Sequence, residues 1–362
     1  MKIVTIVGAR PQFVKIAAVS RKLRRQHQEI LIHTGQHYDY EMSGAFFDGL
    51  DLPRPDFNLG VGSGSHAAQT GDMLKGIEEV LLAERPEYLL TYGDTNSTLA
   101  GALAASKLSI PTIHIEAGLR SYNRAMPEEV NRVVADHLAD LLLCPSDTAV
   151  QNLAKEGITR NVYQVGDVML DAIHWARERS NGHATALFDR LGLRPEQYLL
   201  ATLHRSENTD NRDQFRAILD TFNSLDEPVV FPVHPRARKI IDDVGFRPGP
   251  RLHLLEPLGY LEMVALLAAA RLVLTDSGGL QKEAYWLAKP CLTLRNETEW
   301  IETVQVGWNV LVGSNPQRIL REVNSFVPPS ARPLLYGDGK AADKCVELIG
   351  HKSEPLARAG KA

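Results

Sequence analysis

The sequence predicts an α/β protein built from two parallel, doubly wound sheets. Three observations carry this prediction. Short β-rich runs alternate with longer amphipathic stretches along the whole 362-residue chain, the signature of parallel strands covered by helices. The length exceeds a typical single domain of roughly 100 to 200 residues, so two cores are expected. The alternation pauses once, at the polar stretch Ser180-Asn181-Gly182-His183, and then resumes.

In the first half the expected strands are Ile3–Val7, Ile30–Thr34, Tyr88–Tyr92, Thr112–Ile115, Leu141–Cys144 and Val162–Val165, with a helix between each pair. In the second half they are Tyr198–Thr202, Val229–Val233, Leu252–Leu255, Leu272–Thr275 and Cys291–Leu294. The division is drawn as residues 1–168, 169–345 and a C-terminal helix end and tail over 346–362. Two similar halves facing each other would leave a cleft at the carboxyl ends of their strands, where ligands bind in such sheets.

Composition excludes more than it selects. With 44% hydrophobic and 23% charged residues the chain is ordinary for a globular protein. A formal net charge of -4 offers no general attraction for polyanions, so nucleic acid is not expected as a partner and bound phosphate must be held by local geometry. The apolar run Ile3–Val7 is too short for a signal-peptide core. Residues 264–274 are interrupted by Arg271 well below the ~20 residues that cross a bilayer, so no membrane association and a cytoplasmic location are expected. Cys144, Cys291 and Cys345 are odd in number and far apart, which reads as reduced packing residues.

Several strand ends carry chemistry. Asp276-Ser277-Gly278-Gly279-Leu280 follows an apolar strand. Ser277 suits an N-cap, and the glycines let backbone N–H groups approach a diphosphate at the positive end of a helix. Glu283, six residues after Ser277, is placed to accept hydrogen bonds from ribose hydroxyls. Gly8-Ala9-Arg10-Pro11 closes the first strand in the same manner, with Arg10 at a helix start and Lys15 one turn on.

Three carboxylates stand out: Asp94 and Glu116 directly after strands, and Glu128 beside Glu129 at a helix N-terminus. Two of the three also have a structural reading, Asp94 as a helix cap and Glu128 with Glu129 as dipole partners. A carboxylate ending an apolar strand points into the crevice, where burial moves it toward acid–base work. His204 and His234 end equivalent strands of the second half and suggest phosphate or sugar contacts. No compact His, Cys and carboxylate spacing favours zinc there. Gly60-Val61-Gly62-Ser63-Gly64-Ser65 lacks a Rossmann fingerprint's spacing and preceding strand, and reads as a flexible loop.

Taken in order, Gly8-Ala9-Arg10-Pro11, Gly93-Asp94-Thr95, His114-Ile115-Glu116-Ala117-Gly118-Leu119-Arg120, Pro127-Glu128-Glu129, His204-Arg205, Ser277-Gly278-Gly279 and Tyr336-Gly337-Asp338-Gly339 resemble the non-hydrolysing UDP-N-acetylglucosamine 2-epimerase family over nearly the full length. Within it, the first two motifs, extended to Phe13 and Thr98, and Thr298-Glu299-Trp300-Ile301-Glu302 look most like the branch acting on UDP-2,3-diacetamido-2,3-dideoxyglucuronate, since plain enzymes tend to carry Arg-Pro-Glu after the Thr-Glu pair.

The resemblance implies two facing Rossmann-like domains of the GT-B type with a cleft between them, a UDP-sugar substrate, usually a homodimer, and no metal or redox cofactor. It also implies the chemistry: C2 is inverted by elimination and re-addition of UDP, for bacterial surface polysaccharide precursors. Asp94, Glu116, Glu128 and His204 would be catalytic, and Arg10, Lys15, His234, Ser277, Gly278, Gly279 and Glu283 would bind UDP or substrate. Gln36-His37 matches an allosteric pair of the plain enzymes, but Gly62-Ser63-Gly64-Ser65-His66 does not resemble the companion loop, so that regulation is not carried over. The rival readings are a glycosyltransferase of the same fold, a nucleotide-sugar sensor and a hydrolysing epimerase.

Overall fold

The computed structural model describes residues 1–36, 49–180, 182, 183 and 185–351, excluding the side chains of Arg10 and Arg236. By packing, the described chain forms two units. The first comprises Met1–Ala172 and the chain from Tyr336 onward, and the second comprises Ile173–Leu335. The helix Val168–Arg179 runs across the division. The first boundary therefore falls four residues past the expected 168, and the return to the first unit comes at Tyr336 rather than after residue 345.

In the first unit seven parallel strands, β1 (Lys2–Val7), β2 (Gln28–His33), β3 (Phe57–Asn58), β4 (Tyr88–Tyr92), β5 (Thr112–Ile115), β6 (Leu141–Cys144) and β7 (Val162–Gln164), lie in the order β3-β2-β1-β4-β5-β6-β7. In the second, β8 (Leu199–Thr202), β9 (Val229–Pro232), β10 (Leu252–Leu255), β11 (Leu272–Thr275), β12 (Cys291–Thr293) and β13 (Asn309–Leu311) lie in the order β10-β9-β8-β11-β12-β13. Both are doubly wound, and the strand order reverses between β1 and β4 in one and between β8 and β11 in the other.

The strands read as near-continuous apolar runs because helices cover both faces of each sheet. Around β8, Leu199, Ala201 and Leu203 join one buried cluster while Tyr198 and Leu200 join the other, the period-two alternation of a strand with no wet side. β3 and β13 escaped the sequence reading: at two and three residues on sheet edges they show no periodicity to read.

The Gly60 to Ser65 stretch is a loop, but a tethered one. Val61 N–H donates to Thr34 O at 3.0 Å and Gly62 N–H to Gly35 O at 3.0 Å, and Ser65 caps the helix His66–Glu84. Cys144, Cys291 and Cys345 are buried free thiols. Burial pushes Cys144 and Cys291 up to about 12. Among the described residues no helix is long and apolar enough to cross a membrane, and no group of three His, Cys, Asp or Glu is placed to hold a metal ion.

Candidate active site

In the first unit the polar groups gather where the strand order reverses. The register of β4 and β5 pairs Tyr92 with Ile115, so Gly93-Asp94 and Glu116 leave the sheet side by side. After β1 the helix Arg10–Leu23 begins. The Arg10 side chain lies outside the described residues. Gln12 ties this start to β4: its Oε1 accepts from Gly8 N–H at 2.8 Å, and its Nε2 donates to Tyr92 O at 2.9 Å.

Lys15, one turn into the helix, is 7% exposed and donates to Glu116 Oε2. Burial works against its ammonium, but the charges of Glu116 and Asp94 outweigh it and raise the Lys15 pKa above the ordinary lysine value. The backbone makes room for this pair. Gly93 has φ +64°, and a Cβ there would stand 2.9 Å from Lys15 Nζ and 3.0 Å from Glu116 Oε2. Glu116 itself has φ +71°, a left-handed conformation that is uncommon outside glycine and that clusters at functional sites.

Asp94 pairs with Arg132 Nη2 at 2.5 Å, and its carbonyl accepts from Asn131 Nδ2 at 2.9 Å. It is not the cap of the next helix. Thr95 takes that place, accepting from Thr98 N–H, which leaves the Asp94 carboxylate to Arg132. The neighbouring glutamates of the helix Pro127–Leu138 divide their work. Glu129 is buried and accepts from the Ser121 and Tyr122 amides at 2.9 Å and from Arg132 at 2.8 Å. Glu128 is half-buried in the first turn. The structure thus brings Lys15, Asp94 and Glu116 together, with Glu128 on the helix that supplies Arg132.

In the second unit Thr275 pairs with Thr202 in register, so Asp276 and His204 emerge next to each other. Asp276 is fully buried. It accepts from His204 N–H at 3.0 Å, Arg205 N–H at 2.9 Å and Asn208 Nδ2 at 3.1 Å, and it faces His204 Nδ1 at 3.0 Å. Burial alone would raise its pKa. His204 and these donors prevail and hold it below the usual carboxylate range. The His204 ring meets His234 edge-on at 5.9 Å between centroids, and His234 is exposed.

Ser277 caps the helix Gly278–Trp286 with φ -80°, ψ 124°, as the sequence suggested. Gly278 and Gly279 are half-buried. Trp300 closes one side, its Nε1 lying 3.2 Å from where a Gly278 Cβ would be. Glu283 is 7% exposed and accepts from Tyr260 OH at 3.1 Å. Lys282 is 1% exposed, with Nζ 3.6 Å from the Trp300 ring centroid and 5.5 Å from that of Trp286, a desolvated cation–π arrangement.

Arg132, His114, Asp136, Asp276 and Lys282 were missed as site residues. A weak signal existed for two of them: Asp276 directly precedes the cap, and Arg132 lies one turn beyond Glu128-Glu129. For the Gln36-His37 pair, Gln36 Oε1 accepts from Ser97 N–H at 3.0 Å, and His37 lies outside the described residues.

Two parallel units of this strand order, each with its candidate groups at the reversal, define a Rossmann-like protein of the GT-B type. The chain belongs to the UDP-N-acetylglucosamine 2-epimerase family, a family of isomerases whose sequence pattern matches residues 21–350. A UDP-N-acetylglucosamine 2-epimerase homolog of Methanococcus maripaludis is 51% identical, with 96% of this chain and 99% of the relative covered. The UDP-2,3-diacetamido-2,3-dideoxy-D-glucuronate 2-epimerase of Pseudomonas aeruginosa is 45% identical over 96% and 99%. Among solved structures, Methanocaldococcus jannaschii UDP-GlcNAc 2-epimerase in complex with UDP-GlcNAc and UDP superposes with a TM-score of 0.90 at 39% identity, covering 97% of this chain and 100% of that one.

Proposed function

We propose that the protein is a non-hydrolysing UDP-N-acetyl-sugar 2-epimerase that inverts C2 by eliminating UDP and adding it back, acting as a cytoplasmic homodimer. The observation that carries this reading is the buried Lys15–Glu116 pair beside Asp94. Removing a proton from an unactivated carbon demands carboxylates of fixed position and charge state. The Lys15 ammonium pairs with Glu116 and Arg132 pairs with Asp94, so a cation holds each carboxylate in position.

In the proposed reaction one carboxylate takes the C2 proton as the C1–O bond to UDP breaks, leaving a C1–C2 double bond. A second member of the set Asp94, Glu116 and Glu128, entering the step as the carboxylic acid and leaving it as the carboxylate, delivers a proton to the opposite face of C2. UDP oxygen then re-forms the bond at C1. In this reading the Ser277-Gly278-Gly279 helix start, His204 and His234 contact the diphosphate, and Glu283 contacts the ribose.

The test is incubation with UDP-N-acetylglucosamine in deuterated water. The expected result is formation of the C2 epimer with deuterium at C2 and no lasting accumulation of free UDP. Absence of deuterium at C2 with every UDP-sugar of the panel below sinks the reading, and stoichiometric free UDP with product indicates hydrolysis instead.

A second reading concerns the sugar. Trp300-Ile301-Glu302 follows Thr298-Glu299, and Trp300 stands against the helix start. This favours UDP-2,3-diacetamido-2,3-dideoxyglucuronate as substrate, the compound in the name of the 45%-identical relative. A panel of both UDP-sugars decides, by the ratio of their kcat/KM values.

A further inference from the structure

One imidazole joins the three elements that bear the proposed catalytic carboxylates. His114 lies on β5, two residues before Glu116, and is 0% exposed. Its Nε2 is 2.7 Å from the carbonyl oxygen of Gly93, the residue that precedes Asp94 at the end of β4. A carbonyl oxygen only accepts, so Nε2 carries a hydrogen. Its Nδ1 is 2.7 Å from Asp136 Oδ1, on the helix that begins with Pro127 and Glu128.

Asp136 is a buried carboxylate surrounded by donors. Its other oxygen accepts from Gly118 N–H at 3.0 Å and Arg120 Nη1 at 2.7 Å. Arg120 completes the chain with bonds of 2.7 and 2.8 Å to Glu156. Burial opposes the Asp136 charge, but His114 and Arg120 outweigh it and hold its carboxyl below the usual range. Asp136 Oδ1 and His114 Nδ1 share one hydrogen bond, the second anchor of the ring.

We propose that His114 is a positioning residue for the epimerase reaction, anchored through both ring nitrogens and so fixing the end of β4, the end of β5 and the helix Pro127–Leu138 against one another. The inference rests on the epimerase reading for its catalytic part. The imidazole touches no substrate: its effect passes through Gly93, whose lack of a Cβ leaves the space that Lys15 Nζ and Glu116 Oε2 occupy. Misplacement of reacting groups by about 1 Å can cost roughly 100-fold in rate, whereas a histidine that merely fills the core would alter stability alone.

The test has two arms. His114→Gln keeps a donor at the reach of Nε2, and His114→Asn keeps one at the reach of Nδ1. The Gln variant is expected to retain kcat within about tenfold, and the Asn variant to lose about 100-fold in kcat with KM nearly unchanged. Equal losses in the two variants, losses that follow the melting temperature, or losses carried by KM overturn the positioning role.

The second arm uses the unsubstituted protein with 15N-labelled histidine. One ring that resists exchange with deuterated water should show an Nε2–H correlation, and its absence overturns the proposal even if neither variant folds. Because this arm needs no activity, it separates failure of the inference from failure of the epimerase reading, which would show as no C2 deuterium in the unsubstituted enzyme.

Discussion

Glu116 combines a left-handed backbone with a buried ion pair. A non-glycine residue held there costs about 1 to 3 kcal/mol. Glu116 and Ala117 N–H both donate to Leu143 O, at 3.0 and 3.2 Å, which keeps the turn closed. Replacing Glu116 by Gln keeps the shape and removes the charge, so kcat is expected to fall about 10²- to 10⁴-fold. Steady-state kinetics beside UDP titration checks this, since UDP affinity should change little. Two glycines of this region predict opposite signatures on substitution by Ala. At Gly118 a Cβ would overlap the Ala149 carbonyl oxygen, a backbone atom, so Gly118→Ala should lose more than about 2 kcal/mol of stability in urea unfolding. At Gly93 the neighbours are the movable ends of Lys15 and Glu116, so Gly93→Ala should retain more stability than Gly118→Ala while losing more activity per kcal/mol.

The elements end where they do because of caps and register, and here sequence and structure can be compared directly. Tyr88–Tyr92, Thr112–Ile115 and Leu272–Thr275 were legible to the residue, since each is an apolar run buried on both faces and stopped by polar or glycine residues. The edge strands β3 and β13 were not, because pairing with a neighbour rather than local pattern creates them. The same divide runs through the candidate site. Asp94, Glu116 and Ser277 were visible as residues that follow strands. His114, Asp136 and Asp276 act across elements, and only strand register brings their partners near. The helix after β4 offers a direct check. Thr95, not Asp94, caps it, so Thr95→Ala should cost about 1 kcal/mol in chemical denaturation. If Asp94 were the cap instead, that substitution would be silent.

At the scale of the molecule, each unit holds a fully buried aspartate that its donors keep charged: Asp136 in the first and Asp276 in the second. Both have folded-state pKa values below the ordinary aspartate value of about 3.9. Their stabilisation is therefore complete above that value and is lost as pH falls through the folded-state values. Urea midpoints measured from neutral pH downward should stay level with respect to these groups until about pH 4 and then decline. Asp136→Asn and Asp276→Asn should each lower the neutral midpoint and flatten the acid decline. Lys15 has the opposite sign: its raised pKa preserves its contribution until pH climbs through the raised value. The return of the chain to the first unit at Tyr336 has a further consequence. Asp167 N–H donates to Tyr336 O at 2.7 Å, Asp171 receives the Ala341 and Ala342 amides at 3.1 and 3.0 Å, and Cys345, Val346 and Ile349 are buried. During synthesis every residue of Ile173–Leu335 is made before this closing segment, so the later-coded unit can mature first. The unit that carries the carboxylates must wait, its last core positions unfilled, until the segment from Tyr336 has been made.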